Sequence, residues 1–478
     1  MNTRQPITWT IRDVLDATGG ALYTGSKGAV FEGFSTDSRN IRQGQCFICL
    51  RGEHHDGHNF IANVMRQGIK GIIVDQTAAD QALFRDMEAA QVTSIAVDDT
   101  TSALGDIASY HRKRSELSVI ALTGSNGKTT TRTMMTDVVG RRFQVLSPIG
   151  NFNNLIGVPL TLLRIEPHHE WAILELGMNR SGEILRLGQI CRPDIGLITN
   201  VGPAHLEGLG SLEGVMNAKG ELIETVSARG TMVFNADDPM VMRLAKKASC
   251  KTILFGFSRD ADIRATSLES RANTLSFQLH VPGDGTEVKL PIPGKFNVSN
   301  ALAAAAVGYR LGIPLVQIAA ALNSFAPVKG RLNILQTHQG FHLIDDTYNA
   351  NPGSVKAAIQ TLVKLSREER AIAVLGDMLE LGEASADLHA DIGRFAATLG
   401  VNKLYMTGRF ADAMATGARE AGMAARNLYC GSKREIHSHL IRAIQAKDWI
   451  LIKGSRGMRM ETLVQALQTE YDDTGKAS

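Results

Sequence analysis

Apolar residues come in short, nearly unbroken runs along this chain, and the texture between the runs changes twice. Up to about residue 98 the runs are Ala29–Phe34, Cys46–Leu50, Gly71–Val74 and Ser94–Val97, parted by turns rich in glycine and aspartate. Strands at that interval, with few long helices, predict a small α/β unit. From 99 to 328 the runs Leu117–Leu122, Trp171–Leu176 and Ile195–Asn200 alternate with helical stretches. A continuously apolar strand must be covered on both faces, so these predict a parallel sheet between helices. The alternation Leu275, Phe277, Leu279, Val281 breaks at Pro282-Gly283-Asp284-Gly285 and resumes, which predicts an inserted hairpin, and an alanine-rich helix follows from Ser299 to about Leu311. From 329 to 478 the runs His342–Ile344, Ala371–Leu375, Lys403–Thr407 and Trp449–Lys453 predict a second doubly wound unit, Rossmann-like, with ligands at the carboxyl ends of its strands. The expected fold is α/β in three domains (1–98, 99–328 and 329–478), ending in a frayed tail from Asp472 to Ser478.

Composition narrows the class of protein. A chain of 478 residues exceeds what one core supports, and 44% hydrophobic with 21% charged residues suits a soluble enzyme. A net charge of +3 gives no ground for a nucleic-acid or anionic-membrane partner, and the cluster His111–Arg114 reads as a solvated helix end. Met1 to Leu15 lacks the apolar centre of a signal peptide, and no stretch reaches the ~18–20 apolar residues that span a bilayer. A cytoplasmic monomer without membrane insertion is expected. Cys46 and Cys49, three apart on a strand, point to opposite faces with Cα atoms ~10 Å apart, too far for a disulfide. No second cysteine pair completes a zinc site, so both read as core residues.

The firmest chemistry lies in Gly124-Ser125-Asn126-Gly127-Lys128-Thr129-Thr130, directly after the Leu117–Leu122 strand. It leads into a helix whose Met135, Val138 and Val139 share a face and which Gly140 closes. A glycine loop between strand and helix turns backbone N–H groups and the positive end of the helix dipole toward a polyphosphate. Lys128 can neutralise β and γ oxygens, and the Thr129 hydroxyl can complete a magnesium shell. The loop is shorter than the usual G-x-x-x-x-G-K-[ST], since Leu122 stands five before Gly127.

Three further residues stand out less sharply. Glu175 ends an otherwise apolar strand and must be ion-paired, protonated or metal-bound. His205, beyond the end of the next strand, reads as a structural histidine or a ligand. Both lie at strand ends, as the phosphate loop does, so one site can collect all three. Lys219 in Asn217-Ala218-Lys219-Gly220-Glu221 reads on its own as a solvated helix lysine.

Thr123-Gly124-Ser125-Asn126-Gly127-Lys128-Thr129 resembles the T-G-x-N-G-K-T loop of the Mur ligase family, which explains the shortening, and the resemblance covers essentially the whole chain. It makes residues 1–98 a UDP-precursor-binding domain, through Ser35-Thr36-Asp37-Ser38-Arg39 and Asp56-Gly57-His58-Asn59-Phe60, and the central domain the ATP-binding one. It implies metal residues at Glu175 and His205, with Thr129, and a CO2-carbamylated lysine at Lys219. It implies ATP contacts at Asn297 and Asn300, in Gly294-Lys295-Phe296-Asn297-Val298-Ser299-Asn300, where Lys295-Phe296 stands in place of a histidine that many members carry. Arg331 and Asp346 match residues that the C-terminal domain brings to the nucleotide. Asp345-Asp346-Thr347-Tyr348-Asn349-Ala350-Asn351-Pro352, Leu375–Gly382 and Lys453-Gly454-Ser455-Arg456 are similar to the branch that adds D-Ala-D-Ala, and imply substrate contacts at Tyr348, Asn349, Asn351, Lys453, Ser455 and Arg456.

The resemblance implies an ATP- and Mg2+-dependent amide-forming ligase of peptidoglycan precursor synthesis. It would join UDP-N-acetylmuramoyl-tripeptide to D-Ala-D-Ala through an acyl phosphate, with Lys128, Lys219 and His205 as catalytic residues. Two other readings are kept: a Mur-type or folylpolyglutamate-type ligase with another acceptor, and a nucleotide-binding switch that hydrolyses ATP slowly and makes no bond.

Overall fold

The computed structural model describes residues 8–52, 55–77, 81–271 and 273–473. Two compact units account for the chain: one of residues 1–121, 144–177 and 183–194, the other of 122–143, 178–182 and 195–478. Residues 1–7, from the stretch read for a signal peptide, and 474–478, from the expected tail, lie outside the described residues. The helix Glu461–Asp473 includes Asp472 and Asp473, so the expected fraying does not begin there.

In the first unit a five-stranded sheet runs in the order Ala21–Thr24, Thr93–Val97, Gly71–Asp75, Cys46–Ile48, Phe34–Ser35. Its first pair is antiparallel and the rest parallel. The expected single run Ala29–Phe34 is broken. Gly33 takes φ 141°, so Val30–Phe31 pairs with Trp9–Thr10 while Phe34–Ser35 joins the main sheet. The cysteines behave as the strand periodicity predicts. Cys46 packs on one face with Ile48, Ile73 and Ile95, Cys49 on the other with Phe47, Ile72 and Val74, and both are free thiols. The basic cluster does end a helix, Thr100–Lys113, but His111 is buried against Trp9 and Arg112 pairs with Asp194, leaving Lys113 and Arg114 exposed.

In the second unit Ile195–Ile198, Thr231–Asn235 and Lys251–Gly256 pair in parallel. The expected hairpin forms as Thr274–Val281 and Asp284–Leu290, turning at Pro282-Gly283. A strand unforeseen from the sequence, Ile263–Arg271, precedes it and bulges between Thr266 and Glu269. The alanine-rich helix starts a turn earlier than expected, spanning Lys295–Arg310. Its alanines let it lie close to the helix Lys128–Val139: a Cβ at Gly308 would come within 2.6 Å of Val138 Cγ1.

The six-stranded sheet of residues 333–453 is ordered Asn333–Gln336, His342–Asp346, Trp449–Lys453, Ala371–Gly376, Lys403–Thr407, Leu428–Cys430. Only the first strand is antiparallel. The last strand in sequence, Trp449–Lys453, inserts between His342–Asp346 and Ala371–Gly376. The sheet reverses its winding at that point, and ligands of such sheets bind there at the carboxyl ends. Asp346, Lys453 and Gly376 stand at those ends.

Candidate functional site

The strand Ser118–Thr123 ends in a loop held by the end of the next parallel strand. Ser125 N–H donates to Asn200 O (3.0 Å), Asn126 N–H to Asn200 Oδ1 (2.8 Å), and Thr199 Oγ1 to Asn126 O (2.8 Å). Ser125 Oγ reaches Gly202 O at 2.9 Å. Side chains are excluded at both glycines. A Cβ at Gly124 would lie 1.8 Å from Thr199 Oγ1, and one at Gly127, where φ is 80°, 2.3 Å from Asn300 Oδ1. Gly127 caps the helix Lys128–Val139, so the helix N-terminus opens at the loop. Thr129 and Thr130 are buried on its first turn, and Lys128 Nζ folds back to donate to Gly124 O at 2.7 Å. The strand–loop–helix cradle expected for a polyphosphate is therefore present, with its backbone fixed in advance.

A cavity of about 300 Å³ opens beside this loop, lined by Asn126, Gly127, Thr130, Asn297, Asn300, Arg331, Asp346 and Lys453. Seven of these residues were expected ATP contacts or loop residues and Lys453 an expected substrate contact; the other half of the lining, Asn200, Asn235, Phe296, Ser299, Leu332, Gly353, Ser354 and Ala357, was not expected. Asn300 Oδ1 accepts from Thr131 Oγ1 (3.1 Å) and its amide donates to Asn297 Oδ1 (3.1 Å). Asn297 in turn donates to Pro293 O at 2.6 Å. A neighbouring cavity of about 580 Å³ shares Asn235, Phe296, Ser299 and Ala357 with it and is flanked by Phe257, over whose ring the Lys295 ammonium sits at 4.4 Å.

The carboxyl ends of the six-stranded sheet contribute the charged groups. Lys453 Nζ donates to Asp346 Oδ2 (2.6 Å) and Asn349 O (2.9 Å). Burial draws its ammonium below the ordinary lysine value, and Asp346 offsets part of that. Arg331 donates to Thr129 Oγ1 at 3.3 Å with its guanidinium 4.0 Å over the Tyr348 ring; Arg456 lies 5.9 Å from the same ring. Asn351 Nδ2 donates to Asn126 Oδ1 at 2.8 Å. Ser455 is buried and spends its hydroxyl on Ala350 O and the Leu379 N–H, while Asn349 and Arg456 are exposed. Lys453 thus lines the cavity, Ser455 is buried outside its lining, and Tyr348 is half-buried beneath Arg331.

Lys219 is not the solvated lysine its local sequence suggests. It lies on the helix Leu212–Thr225, 1% exposed, and no hydrogen bond or ion pair to its ammonium is found among the described residues. Burial first, and the Lys128 charge second, push its pKa well below the ordinary lysine value. His205 takes a left-handed backbone, φ 56°, and its Nδ1 stands 2.6 Å from Glu380 Oε2, off the axis of a straight hydrogen bond. Glu380 also holds a left-handed backbone, φ 64°, and accepts at its carbonyl from Glu207 N–H at 3.2 Å. The His205 imidazole beside it keeps its carboxyl below the usual value. Nothing in the sequence flags this pairing, because the partners are 175 positions apart.

In the first unit, Glu175 is 3% exposed and accepts from Asn153 Nδ2 at 2.9 Å. Asp37 is gripped by Arg39 at 2.9 and 3.0 Å and by Asn40, and the Arg39 contacts hold its carboxyl far below the usual range. Ser35 and Asp37 close the turn, Thr36 is half-buried within it, and buried Ser38 accepts from Gln67. His58 joins Asp56 (2.6 Å) to the Asp75 N–H (3.0 Å), so its Nε2 accepts and its Nδ1 carries the proton.

Three family models match the chain: Mur ligase family, catalytic domain, over residues 30–112; Mur ligase middle domain over 122–308; and Mur ligase, glutamate ligase domain over 330–456. The UDP-N-acetylmuramoyl-tripeptide--D-alanyl-D-alanine ligase of Bacillus subtilis is 33% identical over 459 residues, 96% of this chain and 98% of that one. A crystal structure of MurF from Acinetobacter baumannii superposes with a TM-score of 0.88 at 35% identity, covering 97% of this chain and all of that one. MurF from Thermotoga maritima, solved in complex with ADP, gives 0.81 at 26% identity over 92% and 98%.

Proposed function

This chain belongs to the Mur ligase family, and from that premise we propose that it joins D-Ala-D-Ala to UDP-N-acetylmuramoyl-tripeptide at the expense of ATP. The observation that carries the reading is the prebuilt phosphate loop, with Arg331, Asn351 and Asn300 gathered on it. We take the enzyme to act as a monomer in the cytoplasm; among the described residues no helix is long and apolar enough to cross a membrane.

The tripeptide carboxylate is a poor acyl donor because its leaving group would be oxide. It first attacks the γ-phosphorus of ATP, forming the acyl phosphate and ADP; the dipeptide amine then attacks the acyl carbon, an amide forms, and phosphate leaves with the amine proton passing to solvent or phosphate. The loop N–H groups and the helix N-terminus hold the phosphates. Lys128 exchanges its bond to Gly124 O for the β and γ oxygens, and Arg331 stands on the same side through Thr129. Asn297 and Asn300 fix the floor of the nucleotide cavity, with Phe296 offering an apolar face where a histidine is common in the family. Ser35 to Arg39 take the acceptor nucleotide, their geometry set by Asp37. Tyr348, Asn349 and Arg456 meet the dipeptide, Arg456 matching its terminal carboxylate.

The donor set suits magnesium. Among the described residues no three His, Cys, Asp or Glu side chains form a cage, and magnesium usually shares its shell with substrate phosphates and water. Thr129, His205 and a carbamylated Lys219, all in the second unit, are the proposed protein donors. Bound there, the metal would offset phosphate charge during phosphoryl transfer. Lys219 is suited to carbamylation: only a neutral amine adds to CO2, yielding N–COO⁻ and a proton, and burial beside Lys128 favours the neutral amine. The carbamate then turns a lysine–lysine repulsion into an attraction.

The test is phosphate release with each candidate UDP-muramoyl-tripeptide, with and without D-Ala-D-Ala. Release that needs both substrates, with pentapeptide product, is expected; release indifferent to the dipeptide would mean an ATPase switch. Lys128→Ala should lose roughly two to three orders of magnitude in turnover while binding the acceptor nucleotide unchanged.

A further inference from the structure

His205 and Glu380 each hold left-handed backbone without being glycine, a conformation that persists only where the surroundings fix it. The surroundings here are specific. Glu207 N–H is bonded to Glu380 O, a Cβ at Gly382 would sit 3.4 Å from Glu207 Cα, and Leu206 packs on the core that contains Met378 and Leu381. The segment after His205 is thereby clamped to the loop Asp377–Leu381. That loop is itself anchored, since Asp377 accepts from the Arg409 and Phe410 N–H groups at 2.7 and 3.1 Å. The clamp brings Glu380 Oε2 within 2.6 Å of His205 Nδ1, which is shut off from solvent, while the His205 side chain keeps 24% exposure. The edge of the ring left to reach a ligand is the one carrying Nε2.

From this geometry we infer that Glu380 is a positioning residue for His205: it holds the imidazole with the proton on Nδ1, so that Nε2 offers its lone pair to the divalent cation of the nucleotide complex. The inference rests on the ligase reading above, in which His205 is a metal residue. A carboxylate behind a metal-binding histidine fixes the tautomer, aims the ring and raises the basicity of the coordinating nitrogen. The off-axis contact is of a kind that straightens when the ligand is in place. Glu380 touches neither substrate nor cation in this arrangement and acts only through His205.

The experiment uses the full-length protein with Mn2+ as a paramagnetic stand-in and a non-hydrolysable ATP analogue. Mn2+ binding is read by electron paramagnetic resonance, and metal-free nucleotide binding is read separately in chelator. Glu380→Ala should weaken Mn2+ binding about tenfold and leave metal-free nucleotide binding within about twofold. Glu380→Gln, which keeps an acceptor oxygen, should recover most of the loss. Glu380→Asp tolerates the left-handed backbone and so folds readily; with its carboxylate one methylene short, it should lose about threefold. On a His205→Ala background, Glu380→Ala should add nothing further. Unchanged Mn2+ affinity in Glu380→Ala and Glu380→Asp overturns the inference, as do equal losses of metal and metal-free nucleotide binding, which a mere docking contact would give. Wild-type ligation is measured alongside: a wild type that makes no pentapeptide defeats the functional reading, whereas a ligating wild type with metal-indifferent Glu380 variants defeats this inference alone.

Discussion

Asn351 uses the two ends of one amide on two different elements. Its Oδ1 accepts from Ser354 N–H at 2.9 Å, capping the helix Pro352–Ser366, and its Nδ2 donates to Asn126 Oδ1 at 2.8 Å, holding the tip of the phosphate loop. The two roles can be separated. Asn351→Ser keeps a good cap but is too short to reach Asn126. It should melt like wild type and bind ATP roughly two- to tenfold more weakly, the worth of one neutral hydrogen bond. Asn351→Ala loses the cap as well, and should also give up about 1 kcal/mol of stability in denaturant titration.

Gly127 and Asn300 are mutually exclusive in volume. In Gly127→Ala the new methyl would meet Asn300 Oδ1 at 2.3 Å on a backbone at φ 80°, so either the loop or the helix Lys295–Arg310 must shift. A loss of about 1–3 kcal/mol is expected, together with collapse of ADP binding in a fluorescent-nucleotide titration. Adding Asn300→Ser should restore part of the stability, since it removes the collision and leaves only the backbone strain.

Lys219→Ala should lose roughly two orders of magnitude in ligation, and millimolar short-chain carboxylic acids should return part of it by placing an anion in the vacated space. Lys219→Arg should stay inactive and unrescued, because its guanidinium fills the site and forms no carbamate. An arginine variant as active as wild type would show that a plain cation is enough there.

Much of the fold was legible because its long strands are continuously apolar: Lys403–Thr407 and Trp449–Lys453 fall where the runs predict. Among the strands left unnamed, Asn333–Gln336 and Leu428–Cys430 are short edge strands and Ile263–Arg271 alternates too weakly after its bulge, whereas Thr231–Asn235 and Lys251–Gly256 are apolar and central, and their runs were simply overlooked. The phosphate loop could be read because strand, glycines, lysine and helix are contiguous. Its fixation by Thr199 and Asn200, the burial of Lys219 and the Glu380–His205 contact could not, since each depends on residues brought together by tertiary folding. Lys219 shows the limit most plainly. Nothing local distinguishes a lysine that is 1% exposed from one at the surface of the same helix.

The five cysteines should divide by reactivity. Cys46, Cys49 and Cys191 are buried, with burial raising all three thiols, Cys191 to about 12. Cys430 is exposed, although partial burial of its thiol raises it as well, and Cys250 is half-exposed. Native protein at pH 8 should therefore release about two equivalents of thionitrobenzoate from Ellman's reagent, and denatured protein five. Fast labelling of Cys46 or Cys49, located by mass spectrometry, would contradict the strand geometry of Cys46–Ile48.

The left-handed backbones of His205 and Glu380 bear on any attempt to make this enzyme more heat-resistant. Each position favours glycine or asparagine on conformational grounds, so a design procedure scoring backbone fit alone would replace both residues early and be rewarded with a higher melting temperature. The resulting protein would survive heating but lose the imidazole and the carboxylate that the strained turns present. Thermostabilising libraries of this ligase are best built with positions 205 and 380 held fixed, and their Mn2+ affinity screened beside their melting curves.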